Sequence, residues 1–345
     1  MAYTVVTGAN GYIAKHILKS LLEDGHRVIG TVRNSKKAEE LKRTVNDENL
    51  IVELVPDMLV ENAFDELFKK YNTQIKYVFH TASPVLETSK DYEKSLIEPA
   101  ITGAKSMVEA IRKYSLTSVE HIVYTSSIAA SSLESEFTDP TLVVSEDSWN
   151  PQGLEEAKTE FFTAYSYSKK IAEKTMWDFV EEYRGTEHEI KLTTVNPCFN
   201  IGPQAYEADV TETMNFTAEL INHVVKSKVG DPLPPTRIVP YVDVRDTARA
   251  HVDALKNEKL AFQRLLVVGP FLSSQQIYDI VNERFPQLRG KIARGEPGSD
   301  KLDPAKLAKF DHARTTQALG WEFTPIEKAI ADEVAQILRV GAYRG

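Results

Sequence analysis

The stretch YTVVTGANGYIA, residues 3–14, decides the fold of this chain. A short apolar run ends at Thr7, glycines follow at Gly8 and Gly11, and a segment with helical periodicity opens at Tyr12. In a strand–turn–helix unit the first glycine can make a tight turn, and the second lets a pyrophosphate approach the backbone. The free N–H groups of the helix N-terminus attract the phosphates. The stretch predicts a phosphate-binding turn, and an ordinary glycine-rich connection is the alternative.

Short apolar runs alternate with longer helical patterns along the chain. We expect strands at residues 3–7, 27–32, 50–55, 77–81, 121–125, 191–195 and 264–268, and helices at 12–23, 36–44, 157–183, 243–256 and 326–338. This alternation predicts an α/β fold, a Rossmann-type doubly wound parallel sheet with a smaller C-terminal substrate lobe. The expected dinucleotide-binding domain covers residues 1–200, with returning segments near 240–270. Residues 201–345 mainly form the discontinuous substrate-binding lobe.

The composition of the chain indicates which binding partners and which cellular compartment to expect. The 345 residues carry a net charge of -9, which makes nucleic acid and anionic membranes poor partners. Cys198 is the single cysteine, so no intramolecular disulfide forms, and a reducing compartment is expected. No apolar run approaches the roughly 20 residues that span a bilayer. We expect a soluble cytoplasmic protein without a metal site.

The end of the second predicted strand indicates which nicotinamide cofactor is bound. A carboxylate there would bind the ribose 2′-OH of NAD, but none occurs in residues 28–35. The strand runs instead into Arg33, with Lys37 one turn into the next helix. A guanidinium group can bind a 2′-phosphate through two hydrogen bonds. We therefore predict NADPH/NADP+ as cofactor, with a solvated basic surface as the alternative.

Residues that follow the third and fourth predicted strands are further candidates for cofactor contacts. Asp57 and Met58 can hold an adenine base, although Asp57 is nearly as well explained as a turn aspartate. Thr81, Ala82 and Ser83 follow the fourth strand. Ligands of open α/β sheets bind beyond the carboxyl ends of the strands, so these residues should face the cofactor.

A tyrosine and a lysine at helical spacing form a candidate proton-transfer pair. A free tyrosine has a pKa of about 10, and a lysine one helical turn away can lower it. Of the 14 tyrosines, only Tyr165 has a lysine four residues later, Lys169. Tyr167 lies about 200° around the helix from Tyr165, so we expect Tyr167 and Lys170 to be packing or surface residues.

Serines at the end of the fifth predicted strand provide a partner for this pair. Thr125, Ser126 and Ser127 end the strand and should lie over the same crevice as the glycine turn. A serine hydroxyl there can bind a substrate carbonyl and polarise it. Strand-end serines are usually turn or cap residues, so the prediction depends on the glycine turn, the serines and the Tyr–Lys pair occurring together.

These motifs resemble the extended short-chain dehydrogenase/reductases over essentially the whole chain. TGANGYIA, Arg33, TSS, YxxxK and YVDVRD at residues 241–246 carry the resemblance. HTASP, WNP, AYSYSKK and NPCFNIGPQ narrow it to a group of yeast NADPH-dependent methylglyoxal and 3-methylbutanal reductases, which is related to plant dihydroflavonol reductases. Ala14 departs from the family, since many extended members have glycine there. The resemblance implies reduction of aldehydes and ketones, small or hydrophobic, to alcohols by hydride transfer.

The resemblance also implies roles for individual residues. Ser127, Tyr165 and Lys169 align with the catalytic serine, tyrosine and lysine, with the tyrosine as proton donor. The expected cofactor contacts, which include the strand-end residues above, are Gly8, Ala9, Asn10, Gly11, Tyr12, Ile13, Arg33, Lys37, Asp57, Met58, Thr81, Ala82, Ser83, Tyr165, Lys169, Pro197, Phe199 and, more weakly, Thr217. The expected substrate contacts are Val85, Ile128, Phe162 and Phe199.

Two other functions remain as alternatives. A nucleotide-sugar epimerase or dehydratase would use the same fold, but would favour a carboxylate where Arg33 stands, and a dehydratase would need another near Ser127. A non-catalytic NADP(H)-sensing or scaffold protein would be expected to lose Tyr165 or Lys169, and both are present. The expected partner is a small carbonyl compound, and the expected assembly is a monomer or homodimer.

Overall fold

A computed structural model describes residues 2–83, 90–214 and 217–341. The strands are β1 Tyr3–Val6, β2 Val28–Val32, β3 Leu50–Leu54, β4 Ile75–His80, β5 His121–Thr125, β6 Val143–Ser145, β7 Lys191–Pro197, β8 Phe199–Ile201, β9 Val239–Asp243, β10 Gln263–Val267, β11 Phe271–Leu272 and β12 Lys309–Asp311. The helices are α1 Tyr12–Glu23, α2 Ser35–Val45, α3 Asp65–Tyr71, α4 Glu98–Ala110, α5 Leu154–Ala157, α6 Phe161–Glu181, α7 Ala218–Lys226, α8 Val244–Lys256, α9 Ser274–Arg284, α10 Ala313–Leu319 and α11 Ile326–Val340.

A parallel sheet of seven strands forms the centre of the molecule. Its order is β3-β2-β1-β4-β5-β7-β10, and Val5 of β1 lies opposite Ile29 of β2 and Val78 of β4. The chain first moves outward through β2 and β3, and then returns to the other side of β1 as β4. Such a reversal leaves a crevice at the carboxyl ends of the strands. The predicted fold class, a doubly wound Rossmann-type sheet, is confirmed.

Helices cover both faces of this sheet because each presents an apolar stripe to it. On one face α1 buries Ile17, Leu18 and Leu21, and α8 packs beside it. On the other face α3, α4 and α6 enclose a second cluster that includes Phe68 and Met107. The strands are therefore buried on both sides, which explains their nearly continuous apolar character.

The predicted helix over residues 157–183 is interrupted. Helix α5 ends at Ala157, and α6 begins at Phe161 after Glu160, whose backbone is extended with φ −151° and ψ 166°. The prediction of one continuous helix was wrong at this point, because the apolar spacing runs across the break. The break places Phe161 and Phe162 at the first turn of α6, where they face the carboxyl edge of the sheet with Tyr165.

The C-terminal part adds short strands and several helices. Strand β9 pairs with β8 and β11, and β12 pairs with β6. The chain also returns to the main sheet, because β10 pairs with β7 and α8 packs against α1. The division into domains at residue 200 stays a prediction. No helix within the described ranges is both long and apolar enough to cross a membrane.

Candidate active site

A cavity of about 560 Å³ lies at the carboxyl edge of the sheet. It is bounded by the glycine turn, the ends of β4, β5 and β7, the first two turns of α6, and β8. The predicted site residues that line it are Gly8, Gly11, Tyr12, Ile13, Thr81, Ser127, Ile128, Phe162, Tyr165, Lys169, Pro197, Phe199 and Thr217. Ala9, Asn10, Arg33, Lys37, Asp57, Met58, Ala82 and Ser83 are not part of its lining. Val85, a predicted substrate contact, lies outside the described residues.

The backbone of the glycine turn favours glycine at Gly8 and leaves little room for a side chain at Gly11. Gly8 has φ 61°, and a Cβ there would lie 3.2 Å from the Cα and Cβ atoms of Ala82. The Gly11 amide donates to the Gly8 carbonyl at 2.8 Å, and a Cβ on Gly11 would lie 3.2 Å from that oxygen. No side chain caps the N-terminus of α1. The turn therefore leaves helix N–H groups open to an anion.

Tyr12 behaves differently from its neighbours in the turn. Its ring is 8% exposed, and its hydroxyl donates to the carbonyl of Gly202, which links α1 to the segment after β8. Burial is the main cause that raises the pKa of this phenol well above its usual value. A cofactor would therefore meet the main chain and ring of Tyr12, because its hydroxyl is already bonded.

Arg33 and Lys37 lie at the exposed end of β2. Asn34 caps α2 by accepting a hydrogen bond from the Lys37 amide at 3.0 Å, and the Lys37 ammonium pairs with Glu40 at 2.9 Å. Arg33 has no carboxylate partner among the residues that the structure describes. Its guanidinium is therefore available to an anionic group. Lys37 would have to break its ion pair with Glu40 before it could bind such a group.

Asp57 and Met58 form a turn beyond β3. The Asp57 carboxylate accepts from the Leu59 amide at 2.8 Å, as a turn aspartate does. The Met58 methyl group packs against α4, where a Cβ on Gly103 would lie only 2.8 Å from it. This geometry leaves the second carboxylate oxygen of Asp57 for another donor, and the adenine-binding role stays a prediction.

Ser127 is held so that its hydroxyl can donate. It is 9% exposed, and its Oγ accepts from the Ala129 amide at 3.1 Å. Its main-chain carbonyl accepts from the Asn196 side chain at 3.2 Å. Among the described residues the hydroxyl has no acceptor for its own proton, so that proton remains available to a ligand.

Tyr165 and Lys169 lie on one face of α6. The Lys169 ammonium is 5.6 Å from the centre of the Tyr165 ring, and Lys169 is 5% exposed. Neither the phenol oxygen nor the ammonium has a hydrogen-bond partner within the described part of the chain. Both polar groups are therefore free for a ligand in the cavity.

His80 lies close to the site without entering it. Its Nδ1 is 2.9 Å from the Thr7 hydroxyl, and the residue is 1% exposed. Burial, with a smaller effect of the Lys169 charge, lowers the pKa of His80 to about 3. The imidazole stays neutral and joins the end of β4 to the end of β1, which is the environment of a structural histidine.

A buried carboxylate that the sequence analysis missed supports the serine. Glu173, one turn after Lys169 on α6, is 0% exposed and accepts from Ser126 Oγ at 2.5 Å, Asn196 Nδ2 at 2.7 Å and Arg264 Nε at 2.6 Å. Asn196 also donates to the carbonyl of Ser127. The spacing 165, 169, 173 on one helical face was the signal that could have identified Glu173.

Lys170 is buried and anchors a loop. It is 8% exposed, and its ammonium donates to the carbonyls of Asn150, at 3.0 Å, and Gln152. Burial lowers the pKa of Lys170. The Asn150 amide in turn donates to the carbonyl of Ala129, at 2.7 Å, in the turn after Ser127. Lys170 is thus a packing residue, and the alternative of a surface position is wrong.

The far end of the cavity is mostly apolar. Ile128 is 3% exposed and Phe162 42% exposed, and Phe137, Phe161 and Phe199 complete the aromatic lining. Glu134 also lines this end, and both of its oxygens accept from Arg237, each at 2.6 Å. No local pattern could have predicted this pair, because 103 residues separate the partners.

Comparisons with known proteins show which family this chain is similar to. The model of the NAD dependent epimerase/dehydratase family matches residues 4–269. The NADPH-dependent methylglyoxal reductase GRE2 of Saccharomyces cerevisiae is 39% identical over 335 residues, which are 97% of this chain and 97% of that protein.

Solved structures of NADPH-bound reductases match this chain over nearly its whole length. The structure of yeast methylglyoxal/isovaleraldehyde reductase Gre2 complexed with NADPH matches with a TM-score of 0.92 and 38% identity, covering 99% of each chain. The Gre2 structure from Candida albicans in complex with NADPH matches with a TM-score of 0.92 and 36% identity, again over 99% of each chain. The predicted resemblance to the extended short-chain dehydrogenase/reductases is confirmed, and the chain belongs to the NAD dependent epimerase/dehydratase family.

Proposed function

We propose that this protein reduces aldehydes and ketones to alcohols with NADPH as the hydride donor. The observation that carries the proposal is the single cavity that Ser127, Tyr165 and Lys169 line together with the glycine turn. Full-length relatives support it, because the similar yeast enzyme is named an NADPH-dependent methylglyoxal reductase.

The residues around the glycine turn fit NADPH. A Cβ on Gly11 would crowd the Gly8 carbonyl oxygen at 3.2 Å. The uncapped N-terminus of α1 suits a pyrophosphate. The guanidinium of Arg33, which has no carboxylate partner in the described ranges, suits a 2′-phosphate. We infer that the turn holds the pyrophosphate, Arg33 and Lys37 the 2′-phosphate, and Asp57 with Met58 the adenine.

The side chains in the cavity supply the acid and the orientation for the reaction. When bound, NADPH supplies the hydride to the carbonyl carbon. Ser127 donates its hydroxyl proton in a hydrogen bond to the carbonyl oxygen, and Tyr165 transfers a proton to that oxygen as the carbon–oxygen double bond becomes single. Lys169 stabilises the negative charge that remains on the Tyr165 oxygen. One hydride and one proton convert the carbonyl compound to an alcohol.

The lining favours substrates with an apolar group. Ile128, Phe137, Phe162 and Phe199 surround the space beyond Ser127 and Tyr165. Burial of an alkyl or aryl group against these side chains contributes roughly 25 cal/mol per Å² of apolar surface. We infer that the substrate is a small or hydrophobic aldehyde or ketone.

The alternative of a nucleotide-sugar epimerase or dehydratase fits less well. The end of β2 carries Arg33 where a carboxylate would suit NAD. The cavity does contain a carboxylate, Glu134, but Arg237 occupies both of its oxygens. A non-catalytic NADP(H)-sensing protein would have no need of the unbonded Tyr165 and Lys169 groups within one cavity.

The test is a spectrophotometric assay of NADPH oxidation. The purified protein is mixed with NADPH and a panel of aldehydes and ketones, and in parallel with UDP-sugars. We expect NADPH consumption with carbonyl compounds and formation of the matching alcohol. Conversion of a UDP-sugar without net NADPH consumption would support the epimerase alternative, and NADPH binding without any turnover would support the sensing protein.

A further inference from the structure

An ion pair between distant parts of the chain lies at the cavity wall, where Glu134 is one of the lining residues. Arg237 precedes β9, and its Nε and Nη2 atoms donate to the two carboxylate oxygens of Glu134, each at 2.6 Å. Glu134 follows β5 in a short helical turn and lines the cavity. Such a parallel pair of bonds fixes the plane of the guanidinium as well as its position.

The same guanidinium lies against two aromatic rings of the cavity wall. Its central carbon is 4.7 Å from the centre of the Phe162 ring and 4.4 Å from that of Phe199. Arginine stacks on aromatic faces in this way because the ring quadrupole attracts its positive charge. Arg237 therefore contacts three residues that line the cavity, Glu134, Phe162 and Phe199. We call Arg237 and these three residues together the Arg237 clasp.

Phe162 depends on this contact for its position. It lies in the first turn of α6, directly after the break in the helix, and is 42% exposed. Besides the clasp, its ring meets the Phe161 ring edge-on at 5.3 Å. A half-exposed ring at a helix end has few neighbours that restrict its rotation. The contact with the Arg237 guanidinium therefore positions the Phe162 ring.

The clasp is close to the reacting groups. Phe162 and Tyr165 are three residues apart on α6, and residues at this spacing share a helical face. A group attached to a carbonyl carbon bound at Tyr165 would therefore meet the Phe162 ring. We propose that Arg237 is the residue that determines substrate size, by holding Phe162 and Phe199 as a fixed wall at the substrate end of the cavity. This inference rests on the proposed function.

The experiment compares a small aldehyde with a bulky aryl ketone. Arg237→Met keeps an apolar side chain of similar length and removes the ion pair and the ring stacking. We expect the ratio of kcat/KM for the small aldehyde to that for the aryl ketone to fall about tenfold. Without Arg237 the Phe162 and Phe199 rings can move aside, which makes room for the aryl group. NADPH affinity, measured by fluorescence titration, should change less than this ratio, because of the two rings released only Phe199 is also an expected cofactor contact.

Further variants separate charge from geometry. Arg237→Lys keeps the charge but loses the forked hydrogen bonds, so it should shift the ratio in the same direction. Glu134→Ala releases Arg237 from the other side and should do the same. The double variant Arg237→Met with Glu134→Ala should shift the ratio no further than Arg237→Met alone, because both changes break one contact.

Arg112 offers a matched control. It pairs with Glu182 at 2.6 Å and lies 5.2 Å from the Phe179 ring, so it repeats the same kind of contact. Phe179 lies about 25 Å along α6 from Phe162 at about 1.5 Å per residue, far from the cavity. Arg112→Met should leave the ratio unchanged.

Two results would overturn different statements. If the parent protein is active but Arg237→Met and Glu134→Ala both keep its ratio within about twofold, the clasp does not determine substrate size. If none of the carbonyl compounds tested leads to NADPH consumption by the parent protein, the proposed function itself is wrong. Should Arg237→Met fail to fold, Arg237→Lys and Glu134→Ala decide the matter alone.

Discussion

Ser127 and Ser126 are neighbours with different hydrogen bonds. The Ser126 hydroxyl donates to buried Glu173 at 2.5 Å, so its proton is already used. The Ser127 oxygen accepts from the Ala129 amide, so its proton remains for a ligand. From the residues alone either serine could serve, and only the family resemblance favoured Ser127. For Tyr165 and Lys169 the helical spacing singled out the pair only in combination with the glycine turn and the strand-end serines, and their catalytic roles stay a prediction.

Tyr165→Phe removes the proposed proton donor without removing a bond that stabilises the fold. We expect kcat to fall by about 10²- to 10⁴-fold, the usual contribution of a general acid. NADPH binding and the melting temperature should stay close to those of the parent, because the phenol has no partner among the described residues. Steady-state kinetics and thermal denaturation measure both effects. Tyr167→Phe is the control, and equal losses in the two variants would exclude Tyr165 as the donor.

Arg33→Ala tests the choice of cofactor. A hydrogen bond to a charged group contributes about 1.5–3 kcal/mol, so KM for NADPH should rise roughly 10- to 100-fold. KM for NADH should hardly change, because NADH lacks the 2′-phosphate. Arg43, exposed in the last turn of α2, provides a control of equal charge. A similar rise for both cofactors, or the same rise in Arg43→Ala, would contradict the assignment.

At the scale of elements, α6 carries most of the site on one face. Phe162, Tyr165, Lys169 and Glu173 follow one another at three- and four-residue spacing, so one helix orients the cavity wall, the proposed acid, its lysine and the buried carboxylate. The helix is fixed to the sheet through Glu173, whose partner Arg264 is in β10. The sequence predicted this helix but extended it across the break before Phe161.

Glu173→Gln should strongly destabilise the protein. The change leaves Arg264, which is 8% exposed, without its anionic partner, and breaking a buried ion pair costs about 3–5 kcal/mol. Urea denaturation measures the loss. Glu181, exposed on the same helix, is the control, and Glu181→Gln should cost no more than about 0.5 kcal/mol. A loss of similar size in both variants would show that the buried pair does not anchor α6.

At the scale of the whole molecule, several buried histidines make the fold sensitive to acid. Burial is the main cause that lowers the pKa to about 4 for His16, His121 and His251 and to about 3 for His80. The unfolded chain takes up protons near pH 6.5, whereas the folded chain keeps these rings neutral. Stability is therefore full above about pH 6.5 and is lost as the pH falls toward about 4.

The expected slope can be measured by urea denaturation between neutral and mildly acidic pH. Each buried histidine contributes about 1.4 kcal/mol per pH unit within this window. His121→Gln, away from the cavity, should reduce the slope by about one proton. An unchanged slope in His121→Gln would contradict the buried neutral state of this residue.

Across the molecule, local patterns determined the architecture of the first part of the chain. The alternation of short apolar runs with helical periodicity, the glycine turn and the four-residue spacing of Tyr165 and Lys169 are properties of neighbouring residues, so they could be interpreted without a structure. Less regular segments after Pro197 gave no such signal, and β8, β9, β11, β12, α7, α9 and α10 were not predicted. These elements are short or weakly periodic and are stabilised by their packing.

The tertiary structure decided which side chains meet. Glu173 and Arg264 are 91 residues apart, Glu134 and Arg237 are 103 apart, and Tyr12 and Gly202 are 190 apart. Each contact depends on how the sheet and the C-terminal segments pack, and no local pattern carries that information. The sequence alone therefore determined the fold class and the Tyr–Lys pair, whereas packing determined which serine keeps a free proton and what forms the wall of the cavity.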